Sequence, residues 1–231
     1  MTSPARGRVA ALLLAATLGL SACGSDGAEQ AGAGGGDHST GDHAGGDHAE
    51  GPAATLEGPG DEYAGIDLRD PFQRPTFTLT DTTGAPYDFA AATAGRPTLL
   101  FFGYTSCPDI CPTTMADVAL ALRDVDPALA AQVQVVFVTT DPATDTPQVL
   151  GEYLDRFDAD LPTQFVGLTG EQEVIDRAQL SAGVPLAEDD GRLHSSLLLL
   201  YGTDDEAPVA FDAGNTARDI AADVELVVAG S

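Results

Sequence analysis

The sequence predicts an α/β fold in which a mixed central sheet is covered by helices on both faces. Strand-like apolar runs alternate with segments of helical periodicity, and the chain ends in two strand-like segments followed by a helix. Residues 24–60, in contrast, carry almost no large apolar side chain and cannot bury enough surface to fold. The folded domain is therefore expected over residues 67–231.

Seven short segments have the composition of strands. They are residues 76–80, 87–89, 98–103, 133–139, 165–167, 196–201 and 209–211. The first two are expected to pair as an amino-terminal hairpin around Gly84, and the last two are expected to pair around a turn at Asp204. The run at 98–103 is continuously apolar, which is typical of a strand buried on both faces.

Four helices are predicted where apolar side chains recur at helical spacing. Two span residues 112–123 and 171–180, a third follows the segment Asp145-Thr146-Pro147, and the last carries Ile220, Val224 and Val227 on one side. Because a loop leads into Thr-Pro at a helix start, we interpret Asp141 and Asp145 as turn and cap residues and not as ligands.

The amino terminus, residues 1–22, has the features of a secretory signal. Arg6 and Arg8 precede an apolar stretch that is shorter than the ~20 residues needed to span a bilayer. The segment Leu20-Ser21-Ala22-Cys23 resembles a bacterial lipobox, so Cys23 is expected to be a lipid anchor. An ordinary signal peptide that leaves a free cysteine is the alternative, and either interpretation exports the chain.

Residues 23–66 are expected to form a flexible tether rich in Gly, Asp and His. Within it the tripeptide Gly-Asp-His recurs, placing His38, His43 and His48 at a spacing of five residues. Two interpretations stay open. The histidines are either polar spacers or a loose binding site for a divalent ion such as Cu(II).

The charge of the chain argues against nucleic acid and anionic lipid as partners. The sequence has 36 acidic residues and 10 basic ones, all of them arginine, for a formal net charge of -26. Its 3 cysteines are an odd number for an exported protein. Lipidation of Cys23 leaves Cys107 and Cys111 to pair with each other or to share a metal.

The strongest local signal is the segment FFGYTSCPDICPTTM, in which a buried strand leads directly into Cys107 and Cys111 and then into a helix. Side chains four residues apart in a helical turn lie about 5 to 6 Å apart between Cβ atoms. This separation suits a disulfide as well as shared ligation of one soft metal ion. The helix amino terminus next to Cys111 favours the thiolate form that either chemistry needs.

One histidine, His194, lies outside the tether, just before the predicted strand at 196–201. A neutral imidazole is a suitable third donor for a copper ion that two thiolates already bind. A single histidine at such a place is also a common hydrogen-bonded structural residue. The residues alone leave both interpretations open.

Three segments in order resemble the motifs of the SCO/SenC family. They are GYTSCPDICP from Gly103 to Pro112, Asp141-Pro142 with Asp145-Thr146-Pro147, and His194-Ser195. The resemblance covers roughly residues 70–228. Two positions depart from the family pattern: Thr144 stands where arginine is usual, and Leu193 stands where an acidic residue commonly precedes the histidine.

The resemblance implies a thioredoxin-like domain with a membrane anchor. Together with the signal segment and the lipobox, this predicts a domain that is lipid-anchored at the extracytoplasmic face of the cell membrane. The resemblance implies copper bound by Cys107, Cys111 and His194, which makes the ligand interpretation of His194 the favoured one. Thiolate ligands favour Cu(I), and Cu(II) stays open as a second state. The resemblance also implies delivery of copper to the CuA centre of cytochrome c oxidase, in subunit II, or reduction of the cysteines of that centre.

We favour a metallochaperone over an enzyme. The alternative is a thiol–disulfide oxidoreductase, with Cys107 as the nucleophile and Cys111 as the resolving thiol. Three residues separate the cysteines instead of two, and no proline lies between Arg192 and Tyr201, where thioredoxins usually place a cis-proline. A peroxiredoxin-like enzyme is a weaker alternative, because the threonine and proline that precede its peroxidatic cysteine are missing.

Overall fold

The computed structural model of the protein describes residues 62–186 and 195–230. The predictions for the signal segment, for Cys23, for the tether histidines His38, His43 and His48, and for His194 lie outside these residues. In the described part no helix is long and apolar enough to cross a membrane.

The described residues form eight strands in one sheet and six helices. The strands are β1 (Ile66–Gln73), β2 (Thr78–Asp81), β3 (Pro86–Asp88), β4 (Thr98–Gly103), β5 (Gln134–Thr139), β6 (Val166–Thr169), β7 (Leu198–Tyr201) and β8 (Glu206–Phe211). The helices are α1 (Phe89–Thr93), α2 (Ile110–Asp124), α3 (Pro127–Ala130), α4 (Pro147–Asp158), α5 (Gln172–Ser181) and α6 (Ala217–Ala229).

The sheet is mixed, as the sequence predicts. Its strand order is β1-β8-β7-β4-β5-β6-β2-β3. The pairs β4–β5 and β5–β6 are parallel, and every other neighbouring pair is antiparallel. At one edge Leu79 of β2 lies opposite Tyr87 of β3, across a turn in which Gly84 has a φ of 84°. Glycine adopts this left-handed conformation without steric cost.

Helices cover both faces of the sheet and bury β4 between two apolar layers. Leu99 and Phe101 pack with side chains of α2, α4 and α6, whereas Leu100 and Phe102 pack with side chains of α1 and α5. All six residues of β4 are buried, which confirms the prediction for this apolar run. Successive side chains of a strand point to opposite faces, so a strand covered on both sides is apolar throughout.

Several element boundaries differ from the predictions, and two of the differences move the start of a helix. The helix α2 begins at Ile110, two residues before the predicted start, so Cys111 lies within its first turn. Phe89, predicted to end a strand, is the first residue of α1 instead, because the Asp88 carboxylate accepts a hydrogen bond from the amide of Ala91 and caps a helix there.

Candidate metal centre

Residues 104–111, which we call the cysteine loop, lie at the carboxyl ends of two parallel strands. Gly103, the last residue of β4, pairs with Thr139, the last residue of β5. Residues 104–109 lead from β4 into α2, and the amide of Cys107 donates a hydrogen bond to the carbonyl of Tyr104 at 3.3 Å. Ligands of open α/β sheets bind in the crevice at this end of the strands. The cysteine pair therefore occupies a position suited to binding.

The two cysteines lie at the amino terminus of α2. The structure has no disulfide between them; Cys111 has no exposed surface, and Cys107 is 9% exposed. The amide of Cys111 donates a hydrogen bond to Cys107 Sγ at 3.4 Å. The first N–H groups of a helix have no acceptor within the helix. The sulfur of Cys107 serves as an acceptor for them, which orients it over the helix start.

The pKa values of the two thiols shift in opposite directions. Burial raises the pKa of Cys107, but hydrogen bonds from the backbone N–H groups of Cys111, Asp109 and Ile110 outweigh burial and hold the pKa below the ordinary cysteine value. Burial raises the pKa of Cys111 far above that value, and the neighbouring Cys107 and the charge of Asp145 add to the rise. Cys107 is therefore the thiol that ionises first, and Cys111 keeps its proton longer.

Gly103 allows the cysteine loop to fold closely over the end of β4. A Cβ atom at this position would lie 2.7 Å from Phe101 Cε1 and 2.8 Å from Cys111 Sγ. Both distances are shorter than a carbon atom tolerates, so an added methyl group must displace the ring or the sulfur.

We expect Gly103→Ala to lower the free energy of unfolding by about 1 to 3 kcal/mol, the usual cost of overpacking a core. Chemical denaturation under reducing conditions measures it. Gly151→Ala in α4 is the matched control, since the nearest atom to its Cβ is 3.8 Å away. The control should gain about 0.5 to 1 kcal/mol because alanine favours a helix interior over glycine. Equal effects of the two variants would contradict the close packing at Gly103.

Asp145 connects the cysteine loop to the end of β5. Its fully buried carboxylate accepts hydrogen bonds from the amide and the hydroxyl of Thr105, at 2.9 and 2.6 Å, and from the hydroxyl of Thr139, at 2.7 Å. The prediction that Asp145 caps α4 is wrong, because Thr146 is the N-cap and its hydroxyl accepts a hydrogen bond from the amide of Val149. The sequence does contain a signal for the role of Asp145. Since Thr146 can cap the helix, the neighbouring carboxylate of Asp145 remains available for another hydrogen-bond partner.

Asp141 has the turn role that the sequence predicts. Its carbonyl accepts hydrogen bonds from the amides of Thr144 and Asp145, and its own amide donates to the hydroxyl of Thr139 at 3.0 Å. Nearby, the amide of Thr140 donates to the carbonyl of Gly103 at 2.7 Å. These bonds fix the loop after β5 against the end of β4, next to the cysteines.

Tyr153 of α4 brings a buried hydroxyl into the same part of the core. It is 2% exposed, its ring centroid lies 5.5 Å from that of Phe137, and it shares an apolar cluster with Cys107 and Cys111. Within the described residues its hydroxyl has no hydrogen-bond partner. Burial raises the pKa of this phenol, and negative charge on Cys111 or Cys107 raises it further. The hydroxyl therefore stays protonated and able to donate a hydrogen bond.

The residues that follow His194 in the sequence lie beside the first turn of α2. Because β7 runs antiparallel to β4, with Leu198 opposite Phe101, the residues before Leu198 lie toward the carboxyl end of β4. Ser196 and Leu198 line a shallow pocket together with Ile110 of α2. Residues 62–186 and 195–230 contain no group of three His, Cys, Asp or Glu side chains that could hold a metal ion. The third ligand predicted from the sequence is His194, outside that part.

A family model described as SCO1/SenC matches residues 68–229 of the chain. The chain belongs to the SCO1/SenC family. Among curated relatives, a Stutzerimonas stutzeri protein provisionally named as copper-binding is 38% identical over 136 residues, which cover 56% of this chain and 64% of that protein. The chain spans less than two thirds of the length of the first curated relatives that it matches.

Solved structures confirm the thioredoxin-like fold of this SCO1/SenC domain. Bradyrhizobium japonicum ScoI with copper bound is 31% identical with a TM-score of 0.55, and the match covers 68% of this chain and 99% of that chain. BsSco, described as a member of the Sco family of cytochrome c oxidase assembly proteins with a disulfide switch, is 27% identical with a TM-score of 0.51. That match covers 68% of this chain and 95% of BsSco.

Proposed function

We propose that the protein is a copper chaperone that holds one copper ion between Cys107, Cys111 and His194 and delivers it to the CuA site of cytochrome c oxidase. The observation that carries this proposal is the buried pair of cysteines at the carboxyl ends of β4 and β5, with the Cys107 sulfur hydrogen-bonded to an amide at the amino terminus of α2. Thiolates select Cu(I) over harder ions. A similar chain, ScoI, has copper bound in its structure.

The position of Ser196 supports His194 as the third ligand. Ser196 and Ile110 line the same pocket, and Ile110 is the neighbour of Cys111 in the first turn of α2. Two residues of chain span at most about 7 Å, and the histidine side chain adds further reach. An imidazole from His194 would complete a site with two soft sulfur donors and one nitrogen donor, which suits Cu(I).

The same proposal places the domain outside the cytoplasm and attaches it to the membrane through a lipid on Cys23. Residues 24–60 then act as the tether between the lipid and the folded domain. The strongly acidic chain, with a net charge of -26, is unlike a protein that binds anionic lipid headgroups directly. A lipid anchor provides membrane attachment that does not depend on such contacts.

X-ray absorption of the copper-loaded protein, with and without residues 24–60, tests the ligand set directly. We expect both sulfur and nitrogen donors in both forms and one copper ion per chain. His194→Ala should remove the nitrogen donor and weaken Cu(I) binding by at least about 10-fold, since even residues behind metal ligands contribute that much. The control combines His38→Ala, His43→Ala and His48→Ala. A nitrogen donor that persists in His194→Ala but vanishes in the control would locate the nitrogen in the tether.

A second candidate function, thiol–disulfide exchange, is favoured by the opposite pKa shifts of the two thiols. The Cys107 thiolate would attack a substrate disulfide and release one substrate thiolate, which takes up a proton. Cys111 would then lose its proton, attack the mixed disulfide at Cys107, and release the second thiol. Reduction of a model disulfide by the metal-free protein, at a rate that His194→Ala leaves unchanged, would favour this function over copper transfer.

A further inference from the structure

The geometry points to Asp145 as a positioning residue for the cysteine pair: its carboxylate fixes the Thr105 end of the cysteine loop to the end of β5. This inference rests on the proposed copper-binding function. Thr105 lies two residues before Cys107, and both its amide and its hydroxyl donate to Asp145. The other anchor is Thr139, the last residue of β5, whose hydroxyl donates to the same carboxylate.

The arrangement is rigid because every partner is itself fixed. Thr139 lies in a strand buried on all six residues, and its hydroxyl also accepts a hydrogen bond from the amide of Asp141. Asp145 precedes the N-cap of α4, and its own amide donates to the carbonyl of Asp141. A fully buried carboxylate with three hydrogen bonds from short side chains and backbone has one stable orientation.

The consequence is a cysteine loop that is ordered before copper arrives. A loop that has to become ordered on binding loses part of its binding free energy to conformational entropy. With Thr105 fixed, only the residues around Cys107 keep conformational freedom in the segment between β4 and α2. Removal of the Asp145 hydrogen bonds should therefore weaken copper binding without removing any copper ligand.

Asp158 provides a matched control in the same part of the chain. Like Asp145 it is buried, at 2% exposure, and accepts a short backbone hydrogen bond, from the amide of Phe165 at 2.6 Å. It lies at the carboxyl-terminal end of α4, whereas Asp145 lies just before the amino-terminal end. Asp158→Asn therefore reproduces the loss of a buried carboxylate without touching the cysteine loop.

The experiment measures Cu(I) affinity by competition with a chelator, using the full chain and the variants Asp145→Asn, Thr105→Val, Thr105→Ser and Asp158→Asn. We expect Asp145→Asn and Thr105→Val to lower the affinity by about 10-fold to 100-fold, the range for residues that orient metal ligands. Thr105→Ser keeps the hydroxyl that donates to Asp145 and should therefore retain wild-type affinity. The thiolate-to-copper absorption band of the Cu(II)-loaded protein should shift in the first two variants and not in Asp158→Asn.

A second readout separates this inference from the proposed function. Each variant is equilibrated with oxidised glutathione. In this exchange Cys107 and Cys111 form a disulfide, and one molecule of oxidised glutathione is reduced to two molecules of glutathione. Looser positioning should lower the equilibrium constant of this exchange by about 10-fold in Asp145→Asn, through a lower effective concentration of the thiols. If the wild type binds no Cu(I) and this shift persists, the proposed function fails and the positioning role stands. If Asp145→Asn matches Asp158→Asn in both readouts, the positioning role fails.

Discussion

Replacing Cys111 by serine is expected to lower the affinity of the protein for Cu(I) by more than about 100-fold, because a residue that only orients a metal ligand already contributes up to that factor. A serine hydroxyl is a hard donor that remains protonated at neutral pH, and Cu(I) prefers thiolate sulfur. Cys107→Ser should have a comparable effect. Competition against a Cu(I) chelator, under reducing conditions and without oxygen, measures both.

The third cysteine supplies the control for these variants. Cys23→Ser should leave Cu(I) affinity unchanged, since the proposed role of Cys23 is to carry a lipid. Cys111 is fully buried, and serine there buries a hydroxyl group, so unfolding must be measured in parallel. Cys111→Ala avoids the buried hydroxyl and should lose the same copper affinity. Wild-type affinity in a folded Cys111→Ala protein would place the copper site elsewhere.

The parts of the structure that the sequence predicts well depend on local signals. The run at 98–103 is apolar throughout because both faces of β4 are covered, and the structure buries all of it. Leu150 and Tyr153 of α4 are buried on one face, as their helical spacing predicts. The proximity of Cys107 and Cys111 follows from their spacing of four residues, although Cys107 lies before α2 and its sulfur accepts a hydrogen bond from the amide of Cys111 in the first turn.

The edge strand β1 shows where such signals fail. Its sequence, IDLRDPFQ, contains three charged residues and a proline, and apolar and polar side chains alternate only over its first four residues. Among residues 62–186 and 195–230 it pairs with β8 alone, and its register shifts between Asp67 and Phe72. Proline and charge are tolerated at a sheet edge because one side of the strand needs no partner. The composition of such a strand is set by its position in the sheet, which the segment itself does not reveal.

The prediction that Asp145 caps a helix is wrong for a related reason. Its neighbours Thr146 and Pro147 form a helix start, and a carboxylate just before a helix suggests a cap. Its partner Thr105 lies 40 residues away in sequence and becomes adjacent only because β4 and β5 are parallel neighbours whose ends meet at Gly103 and Thr139. Contacts of this kind depend on strand order, so local patterns do not predict them.

The Cu(I) affinity of the protein is expected to rise by at least about 10-fold for each pH unit between about pH 6 and pH 8. Cu(I) binds the deprotonated sulfurs, so each thiol that is protonated in the metal-free protein must release a proton when copper binds. Burial holds the pKa of Cys111 far above the ordinary value, so its thiol carries a proton across this whole range. The metal-free state therefore binds more protons than the copper-bound state, and raising the pH favours copper.

The variants identify which proton is released. The slope of log affinity against pH equals the number of protons that copper displaces. Because the pKa of Cys107 lies below the ordinary value, this thiol is partly ionised at the upper end of the range, and its contribution to the slope should decrease as the pH rises. Cys111→Ser removes the thiol with the raised pKa, so fewer than one proton should be released per copper ion near pH 8. Affinity measured at several pH values, corrected for protonation of the competing chelator, gives the slope directly. A pH-independent affinity in the wild type would mean that copper does not displace the Cys111 proton, and Cys111 would then not be a ligand.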